Sequence, residues 1–295
     1  MFELLGIPPQ ALFGQVLLGL INGSFYAVLS LGLAVIFGLL NIINFAHGAL
    51  YMMGAFVSWM LLTYLGIPFW FALVISPLVV GALGMVIERT MLRPLHELDH
   101  LYSLLLTFGL TLVITGVFQN FYGVSGKPYP IPAALTGVMN LGFMFLPIYR
   151  GFIIVMAVIV CFATWFLIEK TRLGSYLRAA TENPEMVSAF GINVPLLVTL
   201  TYGFGVALSA FAGVLAAPVY SVNPVMGNDL IIVVFAVIVI GGMGSIMGAI
   251  IGGFSLGLVE GLTKVFYPEA STTIIFIIMA LVLLFKPSGI FGREV

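Results

Sequence analysis

Apolar runs long enough to cross a lipid bilayer follow one another along most of this chain, and no other feature restricts its fold so strongly. A hydrocarbon core about 30 Å thick takes roughly 20 apolar residues of α-helix. Such runs lie near 11–40, 47–65, 69–88, 101–121, 150–168, 196–217, 229–246, 248–266 and 271–286. They predict an all-α, polytopic integral membrane bundle with 8–9 transmembrane helices. The count is nine if every run crosses, and eight if 229–266 enters and leaves the membrane differently. The first run is too long for a straight crossing, and the last two are short.

Composition agrees. Of 295 residues, 62% are hydrophobic and 7% charged, against about 45–50% and 25% in soluble domains. So few charges cannot cover a water-soluble surface without large apolar patches. Nucleic-acid readers need clustered Lys and Arg, and here ten basic residues face eleven acidic ones. No nucleic-acid partner is expected; the partner common to every run is membrane lipid. The single Cys161 excludes an intrachain disulfide or a Cys cluster and reads as a small buried hydrophobe. The Asn22-Gly23-Ser24 sequon sits inside an apolar run and is discounted for glycosylation. No hydrophilic segment is long enough for a separate domain, so 1–295 is expected to be one transmembrane domain.

The charges mark the water boundaries. Glu88, Arg89, Arg93, Glu97 and Asp99 separate the third and fourth runs. Glu169, Lys170, Arg172, Arg178, Glu182 and Glu185 separate the fifth and sixth, and Lys286 and Arg293 follow the last. Placing these segments in the cytoplasm puts seven Lys or Arg inside and leaves Lys127, Arg150 and Lys264 outside. The positive-inside rule then predicts N-out, C-in. With Glu3 and no basic residue before Arg89, the start lacks the positive region of a cleavable signal peptide, so the first run is expected to be retained. The connection 122–149, rich in proline, reads as an ordered outer loop with a short helix on the surface. Glycine rows 244/248/252 and 253/257/261 fit close helix packing in lipid.

Two motifs suggest catalysis and fail on context. His96-Glu97-Leu98-Asp99-His100 matches H-E-x-x-H, whose two histidines share a helix face and bind zinc. A third ligand is required, and the only other histidine, His47, lies in a different connection. No metal site is assigned. Gly242-Met243-Gly244-Ser245 has the look of a nucleophile turn, but Ser245 has no base in reach. A hydrolase reading would require metal content or covalent labelling of Ser245.

An ATP-binding loop, G-x-x-x-x-G-K-[ST], does not occur. Asp229, at a helix start, and Glu260, with Lys264 one turn on, are the candidate ionisable groups within the bundle. Neither reads as a proton relay, so the energy is expected to come from another polypeptide. Its entry point is the segment 169–195. Asn183-Pro184-Glu185 is a helix start and Gly191 a stop, giving about two turns with Met186 and Phe190 on one face. Such a helix needs a docking surface; the competing reading lays it on lipid headgroups. Breaks at Asn41 to Gly48 and Gly241 to Ser245 suggest backbone lining a cavity. Asn44, His47, Gly242 and Ser245 are accordingly candidates for a pathway or gate, the alternative for Asn44 and His47 being simple capping of the second run.

These stretches carry a resemblance. Ile43-Asn44-Phe45-Ala46-His47-Gly48, Arg93-Pro94-Leu95, Arg178-Ala179-Ala180 through Gly191-Ile192-Asn193, Asn223-Pro224, Gly241-Gly242-Met243-Gly244-Ser245 and Pro287-Ser288-Gly289-Ile290-Phe291-Gly292 together resemble the permease subunits of bacterial branched-chain amino acid ABC importers, LivH type. The likeness runs through most of the chain in order. It implies that 178–193 is the coupling element touching the ATPase, with Arg178, Glu182, Asn183, Met186, Phe190 and Gly191 in that contact. It further implies a second, related permease subunit, two cytoplasmic ATP-binding subunits that hold ATP and Mg, a periplasmic or lipid-anchored substrate-binding protein, and a place in the bacterial inner membrane. Related permeases carry urea, short amides or aromatic acids, so Leu, Ile or Val is the expected solute with those as alternatives. A stand-alone channel or ion-coupled carrier is the reading from another class.

Overall fold

The computed structural model describes residues 9–40, 44–96, 98–142 and 144–292. Glu3, Asn41 to Ile43 of the first break, Glu97 and Arg293 lie outside them. The order is α1 (Pro9–Leu40), α2 (Ala46–Leu65), α3 (Phe69–Ile87), α4 (His100–Tyr122), strands β1 (Val138–Asn140) and β2 (Phe145–Pro147), α5 (Ile148–Lys170), α6 (Arg172–Glu182), α7 (Pro184–Ala189), α8 (Val194–Tyr220), α9 (Asn228–Gly241), α10 (Ile246–Phe266) and α11 (Thr273–Phe285). Among the described residues seven helices are long and apolar enough to cross a membrane. Two of the nine predicted runs form shorter apolar helices: α9 has 14 residues and α11 has 13, about 20 Å each at the helical rise. Breaks at Gly242 and Lys286 shorten them.

Helix ends follow local chemistry. Gly66, in the left-handed region, closes α2. Asp99 caps α4 by accepting from Leu101 N–H, and Asn193 caps α8 by accepting from Leu196 N–H. Beyond Ile87 the chain winds into a π turn (Glu88–Leu92) and a 3₁₀ turn (Arg93–Leu95). The connection between α4 and α5 holds a 3₁₀ turn (Ala133–Leu135) and the antiparallel hairpin of β1 and β2, with Met139 opposite Leu146. The predicted surface helix is thus a single turn beside a hairpin.

The chain divides into two compact units. In the unit of 31–130 and 162–232, α2 and α3 both lie along α8. Small residues let the backbones meet: a Cβ on Gly54 would stand 2.5 Å from Ala210 Cα, one on Gly81 3.0 Å from Gly203 O, and one on Gly84 2.9 Å from the Val206 side chain. Around these contacts Ile36, Leu50, Val80, Ile87, Leu92 and Val206 form an apolar core. In lipid such contacts hold helices together, because side-chain burial alone gives little drive.

In the unit of 1–30, 131–161 and 233–295, α10 lies on the first half of α1. A Cβ on Gly253 would stand 2.5 Å from Ala27 Cα, and one on Gly261 2.9 Å from Gly19 Cα; Gly257 meets Gly23. The predicted 253/257/261 row is this contact. Gly248 meets Gly241 and Gly252 faces Val237, but Gly244 has φ +78° and turns the chain, so it leaves the other row. After α11 the chain returns to the end of α9: Ile290 N–H donates to Ile240 O at 2.8 Å and Phe291 N–H to Gly241 O at 3.0 Å. Cys161 is buried.

Candidate functional site

A buried polar cluster gathers where α2 begins, within the 31–130/162–232 unit. Asn44 is fully buried, and its Nδ2 donates to the Tyr202 hydroxyl on α8 at 2.9 Å. The next residue, Phe45, donates its N–H to Thr107 Oγ1 on α4 at 3.3 Å. His47 is equally buried, with its imidazole against Gly32 of α1. No side-chain hydrogen bond caps α2; the Asn44 amide reaches across to α8, while its backbone carbonyl accepts from His47 N–H at 3.3 Å. Asn44 and His47 therefore do sit together, in a site made by α1, α2, α4 and α8.

One group in this unit escaped sequence reasoning. Glu88 falls with the charged segment after the third run in the sequence, yet it is completely buried. The π turn rotates it inward, where Thr199 Oγ1 on α8 donates to its Oε2 at 2.5 Å. His96 Nε2 stands 3.9 Å from its Oε1. The signal available was the acid directly at the end of an apolar run, one position before Arg89. Burial lowers the His96 imidazole below its ordinary 6.5, Glu88 opposes that, and Arg93 adds to it. His96 lies in a turn and His100 opens α4 after the Asp99 cap, so the two histidines do not share a helix as a zinc motif requires. Among the described residues no three His, Cys, Asp or Glu are grouped to hold a metal.

The connection from α5 to α8 carries the other predicted site. Asn183 Oδ1 accepts from Met186 N–H at 2.9 Å, Pro184 opens α7, and Gly191 at φ +83° ends the turn. Met186 is 58% exposed and Phe190 79%. On the opposite side Val187 packs with Ala180 and Val194, fastening α7 between α6 and the start of α8. Glu182 is exposed. Arg178 instead turns back to α5, where it donates to Ile168 O at 3.1 Å and stands 3.6 Å from Glu169. Gly174 permits this fold-back by packing directly on the Ile168 carbonyl.

In the other unit, Gly242 has φ +103° and meets Gly292, while Ser245 Oγ accepts from Gly248 N–H at 3.1 Å and caps α10. Both thus have a local turn-forming role. There too, Glu260 is buried beside Lys264 at 2.5 Å, accepts from Tyr26 Oη at 2.7 Å, and has Asn22 Nδ2 at 3.5 Å. The predicted i,i+4 pair is present, extended by two groups from α1. Asp229 is exposed in the first turn of α9.

Seven membrane-length helices describe a multi-pass membrane protein, and similarity to known proteins gives its class as a permease. The chain belongs to the branched-chain amino acid transport system permease component family, whose sequence profile matches residues 15–283. It is 34% identical to the high-affinity branched-chain amino acid transport system permease protein BraD of Pseudomonas aeruginosa, over 95% of each chain. It is 32% identical to the corresponding LivH of Escherichia coli, again over 95% of each. A probable branched-chain amino acid transport permease protein, LivM of Methanocaldococcus jannaschii, is 26% identical over 75% of this chain and 69% of its own. No solved structure matches it significantly.

Proposed function

We propose that this chain is the membrane-spanning permease subunit of an ATP-driven importer that carries Leu, Ile or Val across the bacterial inner membrane. The observation that carries the reading is full-length similarity to two permeases named for branched-chain amino acid transport. The chain performs no chemistry of its own: ATP and Mg belong to two cytoplasmic ATP-binding subunits, which grip α7 through Met186 and Phe190. A second permease completes the pathway, and the relationship to LivM supports a non-identical pair. An extracytoplasmic binding protein delivers the solute.

Nine crossings with N-out, C-in remain the proposed topology. Support comes from the return of 286–292 to the end of α9, beside the start of α10. The chain from the far end of α10 back to Ile290 thus traverses the thickness that α10 spans, although α11 alone is short. The positive-inside count then holds with 169–195 in the cytoplasm. A single permease domain is supported by α1, α5 and α9, each continuous from one compact unit into the other.

The test is co-purification with the ATP-binding subunits and uptake of labelled leucine by vesicles holding the complex. Met186→Ser with Phe190→Ser is expected to lose both while the permease still inserts. Normal association and uptake in that variant would remove the coupling role. Unlabelled isoleucine and valine are expected to compete, and failure of both to do so would remove the solute assignment.

A further inference from the structure

We propose that Glu88 is the positioning residue that carries movement of α7 into the π turn at the end of α3, with the Thr199 hydroxyl as its moving contact. The inference rests on the importer reading above and deepens it. Val187 of α7 packs on Val194, the first residue of α8. Thr199 follows five residues later, and Tyr202 less than a turn beyond it. A shift of α7 therefore reaches Thr199 and Tyr202 through about two turns of rigid helix. Thr199 bonds Glu88 and Tyr202 bonds Asn44, so the start of α8 holds both the inward acid of α3 and the start of α2.

Packing does not need the acid. α3 and α8 already meet through Gly81, Gly84, Gly203 and Val206, and Ile87 and Leu92 flank Glu88 in an apolar core. A leucine would fill the place at less cost, since a buried carboxylate is expensive in a membrane protein and marks function. The Thr199 hydroxyl has two acceptors within reach. Thr199 Oγ1 lies 2.5 Å from Glu88 Oε2 and 2.9 Å from Pro195 O, and one hydroxyl proton serves two acceptors. Glu88 Oε1 has no hydrogen-bond partner among the described residues, and His96 Nε2 stands 3.9 Å from it. When α8 shifts, the hydroxyl stays with Pro195 of its own helix and Glu88 closes on His96. The π turn that presents Glu88 is the irregular backbone on which such a hinge is found.

The test reads solute taken up per ATP hydrolysed, and the solute KM, in vesicles containing the assembled importer. Thr199→Val keeps the shape and removes the hydroxyl; it is expected to lower that ratio at least fivefold with the solute KM within twofold. Thr199→Ser returns the hydroxyl and is expected to restore the ratio to within twofold of wild type. Glu88→Gln combined with Thr199→Val is expected to be no worse than the more impaired single variant, as for two members of one contact. A wild-type ratio in Thr199→Val, equal impairment of Val and Ser, or additive losses in the double variant would overturn the proposal. Should Glu88→Gln fail to assemble, the Val and Ser pair decides alone. Absence of ATP-dependent uptake by the wild-type complex would instead count against the importer reading.

Discussion

The Tyr26 hydroxyl donates a 2.7 Å hydrogen bond to Glu260 Oε2, joining residues 234 positions apart. Lys264 takes the other oxygen, so the buried carboxylate of α10 is shared between its own helix and α1. Hydrogen bonds to charged groups contribute about 1.5–3 kcal/mol. Tyr26→Phe is expected to cost about that much, read as a lowered unfolding temperature in detergent. Glu260→Leu is expected to cost more, since it strands Lys264 beside apolar surroundings. An unchanged melting temperature in Tyr26→Phe would show that the bond holds nothing.

The same helix pair gives a steric prediction. Gly257 meets the Gly19 and Gly23 backbone, whereas Gly116 on α4 has open space around its absent Cβ. Gly257→Val is expected to separate α1 from α10 and remove the folded protein from the membrane. Gly116→Ala is expected to be tolerated, with a small gain from helix propensity of at most about 1 kcal/mol. Comparing monodisperse yields of the two variants checks this, and equal yields would contradict it.

Asn44 and Tyr202 form a buried pair, and truncating one partner costs more than replacing both. Tyr202→Phe leaves the Asn44 amide without its acceptor and is expected to cost about 1–3 kcal/mol. Adding Asn44→Leu to that variant is expected to recover stability rather than to double the loss. Thermal unfolding of the two variants measures it, and a simple sum of losses would mean that the pair is not coupled.

His96 supplies a dependence on pH. Its value in the folded chain lies below 6.5, because of burial, so between the two values the unfolded chain binds more protons. Stability from keeping His96 neutral is therefore complete above about pH 6.5 and lost as pH falls through the lower, folded value. Glu88 opposes this loss and Arg93 deepens it. His96→Gln is expected to flatten the acid side of a melting-temperature profile from pH 7.5 to 5. An identical profile in wild type and variant would exclude His96 as its source.

Legibility in the sequence followed the range of the interactions. The start of α7 at Asn183-Pro184, the left-handed stop at Gly191 just past its end and the Glu260–Lys264 pair are set by residues within a turn or two, and these are legible. The glycine row at 253, 257 and 261 declared a close helix contact, though not that α1 was the partner. Glu88 was misplaced among solvated charges because its acceptor role depends on Thr199, 111 positions on, and on a π turn that no local pattern announces. Arg178 lies in the expected coupling segment, and its bond to Ile168 O at the end of α5 depends on the close packing of Gly174, which no local pattern announces. Asn44 was marked by a break in hydrophobicity, while its bond to Tyr202 spans 158 positions.

In the proposed importer this chain supplies the gate and takes its energy from the ATP-binding subunits. Purified and reconstituted alone in sealed vesicles, it is expected not to concentrate leucine under any ion gradient. With the second permease, the ATP-binding subunits, the binding protein and ATP, it is expected to do so. Accumulation against a gradient by the lone chain, abolished by an ionophore, would contradict the account.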